Sequence, residues 1–308
     1  MLAHGHEPRI FDIVPSRYCA VHETKMVVGD LLDLDTLREA ARGCDAVIHL
    51  AAVSDVNEVV RDPSRAELVN ARGTEVMLEA ALLERITRVV YASTVWVYGG
   101  AAGAEPLDEG TSLVPPAHFY TATKLAGELF CHSFDELYGV EQTILRFGIP
   151  YGPRARASTV VAQFVERALA GEPLTVTGDG AQTRQFVYVQ DLAEGVVSAL
   201  APVAAGRTYN LVGSEQVSVR QIAETVQQLV GDVPIVHVDD RPADLRSSAI
   251  SGERAGRELG WRLETPFNQG VRSYVAWVKG IQDAPSDEPA SRIAGKASTV
   301  LRQEPAEL

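Results

Sequence analysis

Short apolar runs rich in β-branched residues alternate along the chain with longer stretches whose apolar positions recur every three or four residues. Residues 9–13 (RIFDI), 25–28, 45–51 (DAVIHLA), 87–92 (TRVVYA) and 141–147 (EQTILRF) read as strands. Residues 35–42, 65–84 and 119–138 read as helices, the second with Leu68, Val69, Val76, Leu78 and Leu82 on one stripe. DAVIHLA is almost continuously apolar, as a strand covered on both faces requires. Strand–helix alternation of this kind predicts a Rossmann-like, doubly wound α/β fold with a parallel sheet. After Tyr151-Gly-Pro153 the texture changes. Helices are expected at 158–170, 190–201, 218–230 and 266–279, with strands at 173–176, 184–189 and 208–212. The expected division is a dinucleotide-binding domain at 1–153 and a smaller α/β substrate-binding lobe at 154–281 that returns in places to the sheet. Residues 282–308, small and charged without periodicity, are expected to be a disordered tail.

Composition narrows the partners. With 46% hydrophobic and 22% charged residues the chain has the balance of a globular protein. Its net charge of −13 argues against a nucleic-acid surface or an anionic membrane, so phosphates would need a local basic pocket. Cys19, Cys44 and Cys131 lack paired metal-ligand spacing and read as free thiols, and no metal is expected. No apolar run approaches the ~20 residues of a membrane span. The opening residues MLAHGHEPRIFDI lack the apolar stretch of a secretory leader, and the expected location is the cytoplasm.

Tyr120 and Lys124 carry the candidate chemistry. On a helix they lie one turn apart on the same face. A phenol titrates near ~10, and a neighbouring cation lowers that value by favouring the phenolate. With a hydroxyl from Thr94 to share the proton, the pair is equipped to deprotonate a secondary alcohol while a hydride departs. A lone Tyr-x-x-x-Lys is a common chance pair on helix surfaces, so the surroundings must decide.

Eight segments do so in order: VVGDLLD (27–33), DAVIHLAA (45–52), NARGTEVMLEAA (70–81), YASTVWVYGG (91–100), YTATKLAGE (120–128), LRFGIPYGPR (145–154), GDGAQTRQFVYVQDLAEG (178–195) and RPADLRSSAISGERAGRELGW (241–261). Together they resemble the extended short-chain dehydrogenase/reductases, the NAD-dependent epimerase/dehydratase family acting on nucleotide sugars, over roughly residues 1–280. The resemblance implies NAD as cofactor, a nucleotide-sugar substrate and a homodimer formed through helices 65–84 and 119–138. Asp12, ending a strand, would accept the adenosine ribose hydroxyls and favour NAD over NADP; otherwise it is a solvated loop carboxylate. Asp30 and Leu31 would cradle adenine, although Asp30 also suits a helix N-terminus. Leu50, Ala51 and Ala52 would let backbone approach the cofactor, or serve simply as sheet core. His49 reads as structural. Tyr120 and Lys124 would also contact the cofactor. Thr94 matches the family's catalytic hydroxyl, with Ser93 as its competitor and a second substrate contact. Arg184, Arg241 and Asp244 would hold the diphosphate and ribose of the substrate, the arginines through their planar fork of donors; otherwise they form surface ion pairs.

Within the matched segments the chain departs from the family in three ways. Ile149 stands where an Asn is usual, Gln185 replaces an Asp, and Val95 and Trp96 occupy the positions at which the dehydratases carry Asp-Glu. The last removes the acid needed to eliminate water and leaves reversible oxidation at C4: a UDP-hexose 4-epimerase working through a transient 4-keto intermediate. An NAD(P)-dependent sugar reductase or dehydrogenase, or a non-catalytic nucleotide-sugar-binding remnant, are the alternatives. The family's opening strand and GxxGxxG turn do not appear, roughly twenty residues by comparison. A displaced start, a truncation and a genuine loss of the loop all fit. The expected consequence is an open edge on strands 9–13 and 45–51, poor NAD binding and aggregation, relieved by restoring upstream residues.

Overall fold

The computed structural model describes residues 1–16, 18, 24–99, 106–239 and 248–282. The first half runs β1 (Arg9–Asp12), β2 (Lys25–Val28), α1 (Leu34–Ala41), β3 (Val47–His49), α2 (Val56–Arg61), α3 (Pro63–Glu67), α4 (Gly73–Leu83), β4 (Arg88–Thr94), α5 (Phe119–Tyr138), β5 (Glu141–Phe147) and β6 (Ile149–Tyr151). The second runs α6 (Val160–Leu169), β7 (Leu174–Thr177), β8 (Thr183–Arg184), β9 (Phe186–Tyr188), α7 (Val189–Ser198), β10 (Arg207–Leu211), β11 (Val217–Ser218), α8 (Val219–Val230), β12 (Ile235–Val238), α9 (Glu253–Leu259) and α10 (Phe267–Gln282).

Strands β3, β4, β5 and β10 form a parallel four-stranded sheet in the order β10-β5-β4-β3. Side chains alternate across it, as the two-residue period of a strand demands. Val89, Tyr91 and Ile144 join a core with Val76, Met77, Leu78, Ala81 and Cys131 of α4 and α5. Val90 and Leu145 join a core with Leu192 and Val196 of α7, Ala255 of α9 and Trp261 just after it, on the other face. The fold is therefore a doubly wound α/β sheet of Rossmann type. A separate core unites Val161, Phe164, Val165, Leu174, Ile222, Val226 and Val271 of α6, β7, α8 and α10.

Strands β1 and β2 pair with each other in parallel but share no ladder with the larger sheet. β1 belongs to its packing all the same, because Phe11 and Val47 of β3 contact one core. Among the described residues the outer edges of β1 and β3 have no strand partner. β3 is accordingly shorter than the 45–51 expected: its ladder with β4 runs only from Val47 to His49. Leu50 beyond it is 57% exposed.

The helix expected over 65–84 divides. Leu68–Arg72 form a π-helical turn between α3 and α4. Asn70 sits in it fully buried, its amide spanning Val53 (Oδ1 accepts from Val53 N at 2.7 Å, Nδ2 donates to Val53 O at 2.9 Å) and Thr123 Oγ at 3.0 Å. Turns of this kind arise where a side chain must reach a partner the regular helix would deny it. Caps fix the helix starts: Asp33 on Thr36, Asp55 on Asn57 and Glu58, and a reciprocal capping box between Ser218 and Gln221. The tail from 283 onward lies outside the described residues.

Candidate active site

Helix α5 carries Tyr120 and Lys124 in its first turns, against β4 and the short 3₁₀ turn Val95–Tyr98. The helix lies close because residue 127 is glycine: a Cβ there would overlap Tyr91 Oη. Tyr91 Oη donates to the Lys124 carbonyl at 3.2 Å. The Lys124 side chain is 2% exposed, and its ammonium lies 4.2 Å from the centroid of the Tyr91 ring. It makes no hydrogen bond among the described residues, so a cation–π contact stands in for one. Burial pulls its titration down to about 8, opposed by Cys131 and Glu128 on the same helix.

Tyr120 is half-buried against Val53, Val59, Ala66 and Val69. Burial pushes its phenol up to about 12, and the charge that opposes this is the Arg156 guanidinium. This corrects the expectation that Lys124 lowers the Tyr120 value: in this structure the ammonium is engaged with the Tyr91 ring. Arg156 was not singled out in the sequence; it follows the YGPR motif without any pattern that marks it.

The two candidate hydroxyls separate clearly. Ser93 Oγ donates to Glu128 Oε1 and is 4% exposed. Its hydrogen is committed, which weighs against the competing catalytic and substrate-binding roles. Thr94 Oγ only accepts, from Trp96 N at 3.2 Å, so its own proton has no acceptor among the described residues. Val95 is buried with Val97, Tyr98 and Leu107, and Trp96 packs against them, so the two positions after Thr94 supply packing and no acid.

The cofactor candidates lie at strand ends. Asp12 is exposed at the end of β1 and accepts from Val14 N at 3.1 Å. Asp30 is exposed and accepts from Leu32 N at 2.9 Å; it precedes, rather than caps, helix α1, whose cap is Asp33. The Leu31 side chain packs against Gly73. Leu50 and Ala51 are exposed and Ala52 half-buried beyond β3, so the reading of these three as plain sheet core does not hold. His49, read as structural, is 4% exposed with Nε2 3.1 Å from Thr74 Oγ. That hydroxyl already donates to Asn70 O at 2.6 Å, so Nε2 must carry the hydrogen.

In the second half, Arg184 pairs with Val217 across the β8–β11 ladder and donates from Nη1 to Thr183 O at 2.7 Å. Arg241 and Asp244 lie outside the described residues. The two departures nearby have structural accounts. Gln185 donates through Nε2 to Gly213 O and Ile250 O (2.7 and 2.9 Å) and accepts from Ile250 N at 2.8 Å. A carboxylate could not make the two donations. Ile149 turns its side chain to the apolar core shared by α6, α8 and α10. A Glu128–Arg146 pair beneath the site, both members nearly fully buried, was missed. The available signal was Glu128 at the same four-residue spacing from Lys124 as Lys124 from Tyr120, and an arginine inside the apolar run TILRF.

Residues 1–212 match the NAD dependent epimerase/dehydratase family. A UDP-glucose 4-epimerase of Mycolicibacterium smegmatis is 33% identical over 261 residues, 83% of this chain and 83% of that protein. The chain belongs to the NAD-dependent epimerase/dehydratase family. A dTDP-D-glucose 4,6-dehydratase of Bos taurus is 31% identical over 267 residues, covering 83% of this chain and 74% of that one. The structure of a Thermus thermophilus UDP-glucose 4-epimerase in complex with NAD aligns with a TM-score of 0.82 at 31% identity, over 91% of this chain and 93% of that chain. Epimerases and dehydratases are thus similar to this chain to nearly the same degree. NAD is the family's cofactor. The residues at hand fit it: a buried ammonium with no hydrogen-bond acceptor among the described residues, on α5, and exposed carboxylates at the end of β1 and just after β2, are donor and acceptor equipment for ribose hydroxyls.

Proposed function

We propose that the chain is an NAD-dependent nucleotide-sugar 4-epimerase acting on C4 of a UDP-hexose. The observation that carries this choice over dehydration is Thr94, whose proton has no acceptor among the described residues, followed by Val95 and Trp96 rather than by acids. Elimination of water needs a group to protonate the departing hydroxyl. Oxidation and return at one carbon needs only the phenol, the hydroxyl and the cofactor.

Bound NAD would supply a reversible acceptor for the C4 hydride. Tyr120 takes the 4-hydroxyl proton and later restores it, with Thr94 bridging by hydrogen bond. The high Tyr120 value means that the phenolate needs positive charge close by. Lys124 supplies it by leaving the Tyr91 face, where no hydrogen bond among the described residues holds it. Asp12, Asp30, Leu31 and the backbone of Leu50–Ala52 hold the adenosine half. Arg184, Arg241 and Asp244 hold the substrate diphosphate and ribose, so the keto sugar turns over without leaving. The working unit is a homodimer through the outer faces of the π turn with α4 and of α5, where Leu68, Leu83, Leu129 and Leu137 are exposed.

The test is a panel of nucleotide sugars incubated with NAD and protein, with products separated by stereochemistry. Conversion of a UDP-hexose to its C4 epimer without net NADH is expected. Net NADH formation or consumption would instead identify a dehydrogenase or reductase. Tyr120→Phe should lower turnover by about two to four orders of magnitude with the fold intact. Turnover within about threefold of wild type would remove Tyr120 from the role of base.

A further inference from the structure

A buried polar chain that the reaction just described does not use links α5, β5 and β10 to the end of β4 and the turn after it. Glu128 on α5 and Arg146 on β5 form a two-point ion pair, Nε to Oε1 at 3.1 Å and Nη2 to Oε2 at 2.7 Å, with side chains 3% and 7% exposed. Each member has one further bond, and both go to the same short segment. Glu128 Oε1 receives Ser93 Oγ–H. Arg146 Nη1 donates to Tyr98 Oη at 2.8 Å, and Tyr98 Oη donates onward to Asn210 Oδ1 of β10 at 2.9 Å. Ser93 immediately precedes Thr94, and Tyr98 closes the 3₁₀ turn that Thr94 caps.

Taking two charges out of water seldom stabilises a fold relative to apolar packing. What this pair does instead is geometric. It holds the residues on both sides of Thr94, and one of its members stands on the helix that carries Tyr120 and Lys124. Helix α5 is stiff over the two turns between Tyr120 and Glu128. A fixed Glu128 therefore relates the hydroxyl on the strand to the phenol on the helix.

We infer that the Glu128–Arg146 pair is a positioning clamp: it sets Thr94 against Tyr120 by anchoring Ser93 and Tyr98 at either end of the Thr94 turn. The functional half of this inference rests on the 4-epimerase reading; the anchoring itself does not.

Removing either charge leaves the other buried and alone, and such a variant is liable not to fold. Tyr98→Phe is the cleaner probe, because it deletes one anchor, keeps the ring and leaves the ion pair whole. Two readouts on the full chain are needed. Hydrogen exchange of the Thr94–Val97 amides should speed up by about tenfold in Tyr98→Phe, while amides of α8, in the other core, keep their protection. Turnover of the epimerised sugar should fall by about tenfold with KM unchanged, as expected for misplaced groups. In a Thr94→Ala background the same substitution should cost less than about twofold, because the clamp then has nothing left to position. Unchanged exchange would overturn the proposal, as would a turnover loss equally large with and without Thr94, or faster exchange with unaltered turnover. Should the wild-type protein turn over no nucleotide sugar, the epimerase reading fails with the functional half, and the exchange measurement still decides the anchoring.

Discussion

His49 is a buried imidazole that the fold keeps neutral. Burial pulls its titration down to about 3, and the Lys124 charge adds to the effect. Because this lies below the ordinary 6.5, only the unfolded chain takes up a proton between the two values. The contribution is complete above about pH 6.5 and is lost as the pH falls toward 3. Between pH 7 and pH 5 this one group should remove about 2 kcal/mol of stability. Urea unfolding of wild type and His49→Gln at both pH values checks it: the variant should lose about 2 kcal/mol less over that interval. Equal losses would show that another group carries the acid sensitivity. At this scale the sequence was readable where chemistry depends on spacing along one element. Tyr120 and Lys124 share a helix face by arithmetic alone. Where the ammonium points was not readable, since that depends on Tyr91, 33 residues earlier, and on a glycine that admits the ring. Ser93 and Thr94 were adjacent and chemically alike, and only the buried carboxylate of Glu128 separates them.

Between α3 and α4 a single amide decides the course of the chain. The apolar stripe of 65–84 predicts one uninterrupted helix, and the π turn at Leu68–Arg72 breaks it. Periodicity reports which face is apolar; it does not report that Asn70 must reach the loop after β3. Asn70 pairs both backbone groups of Val53 and ties them to Thr123, whose hydroxyl donates to Tyr120 O at 2.8 Å. The floor of the proposed cofactor cleft and the start of the candidate catalytic helix thus meet on one side chain. Asn70→Ala would leave the Val53 N–H and C=O buried without partners. The expected cost is about 3 kcal/mol in denaturant unfolding, against about 1 kcal/mol for an ordinary substitution. A cost at the ordinary level would mean that the Val53 groups find water, and the link between cleft floor and helix would lose its support. The short elements α2, β6, β11, β12 and α9 were also absent from the sequence reading. Each is too brief to show a period, and each is held by tertiary pairing, as Ile149 of β6 is by Phe186 of β9.

Association is a property of the whole molecule, and two surfaces here invite it by different physics. On the outer side of the π turn with α4 and of α5, Leu68, Leu83, Leu129, Leu137 and Tyr138 are between 45% and 71% exposed. Leu129 and Leu137 stand eight residues apart on one helix and so share a stripe. Exposed apolar residues gathered on one helix stripe mark a surface that a partner can cover. The second surface is the pair of strand edges on β1 and β3, which have no strand partner among the described residues and so can pair with an extended chain. The first favours a closed pair related by a two-fold axis, because the same patch meets itself. The second favours open-ended growth. Substituting both leucines, Leu129→Asp and Leu137→Asp, places charges on the helical stripe and leaves β1 and β3 untouched. Light scattering on a sizing column should then show the wild type near twice its 33.2 kDa and the double variant near that single mass. A wild type already at the single mass would dispose of the helical dimer. Association that persists in the double variant would move the contact to the strand edges, and its dependence on protein concentration would then continue past the dimer.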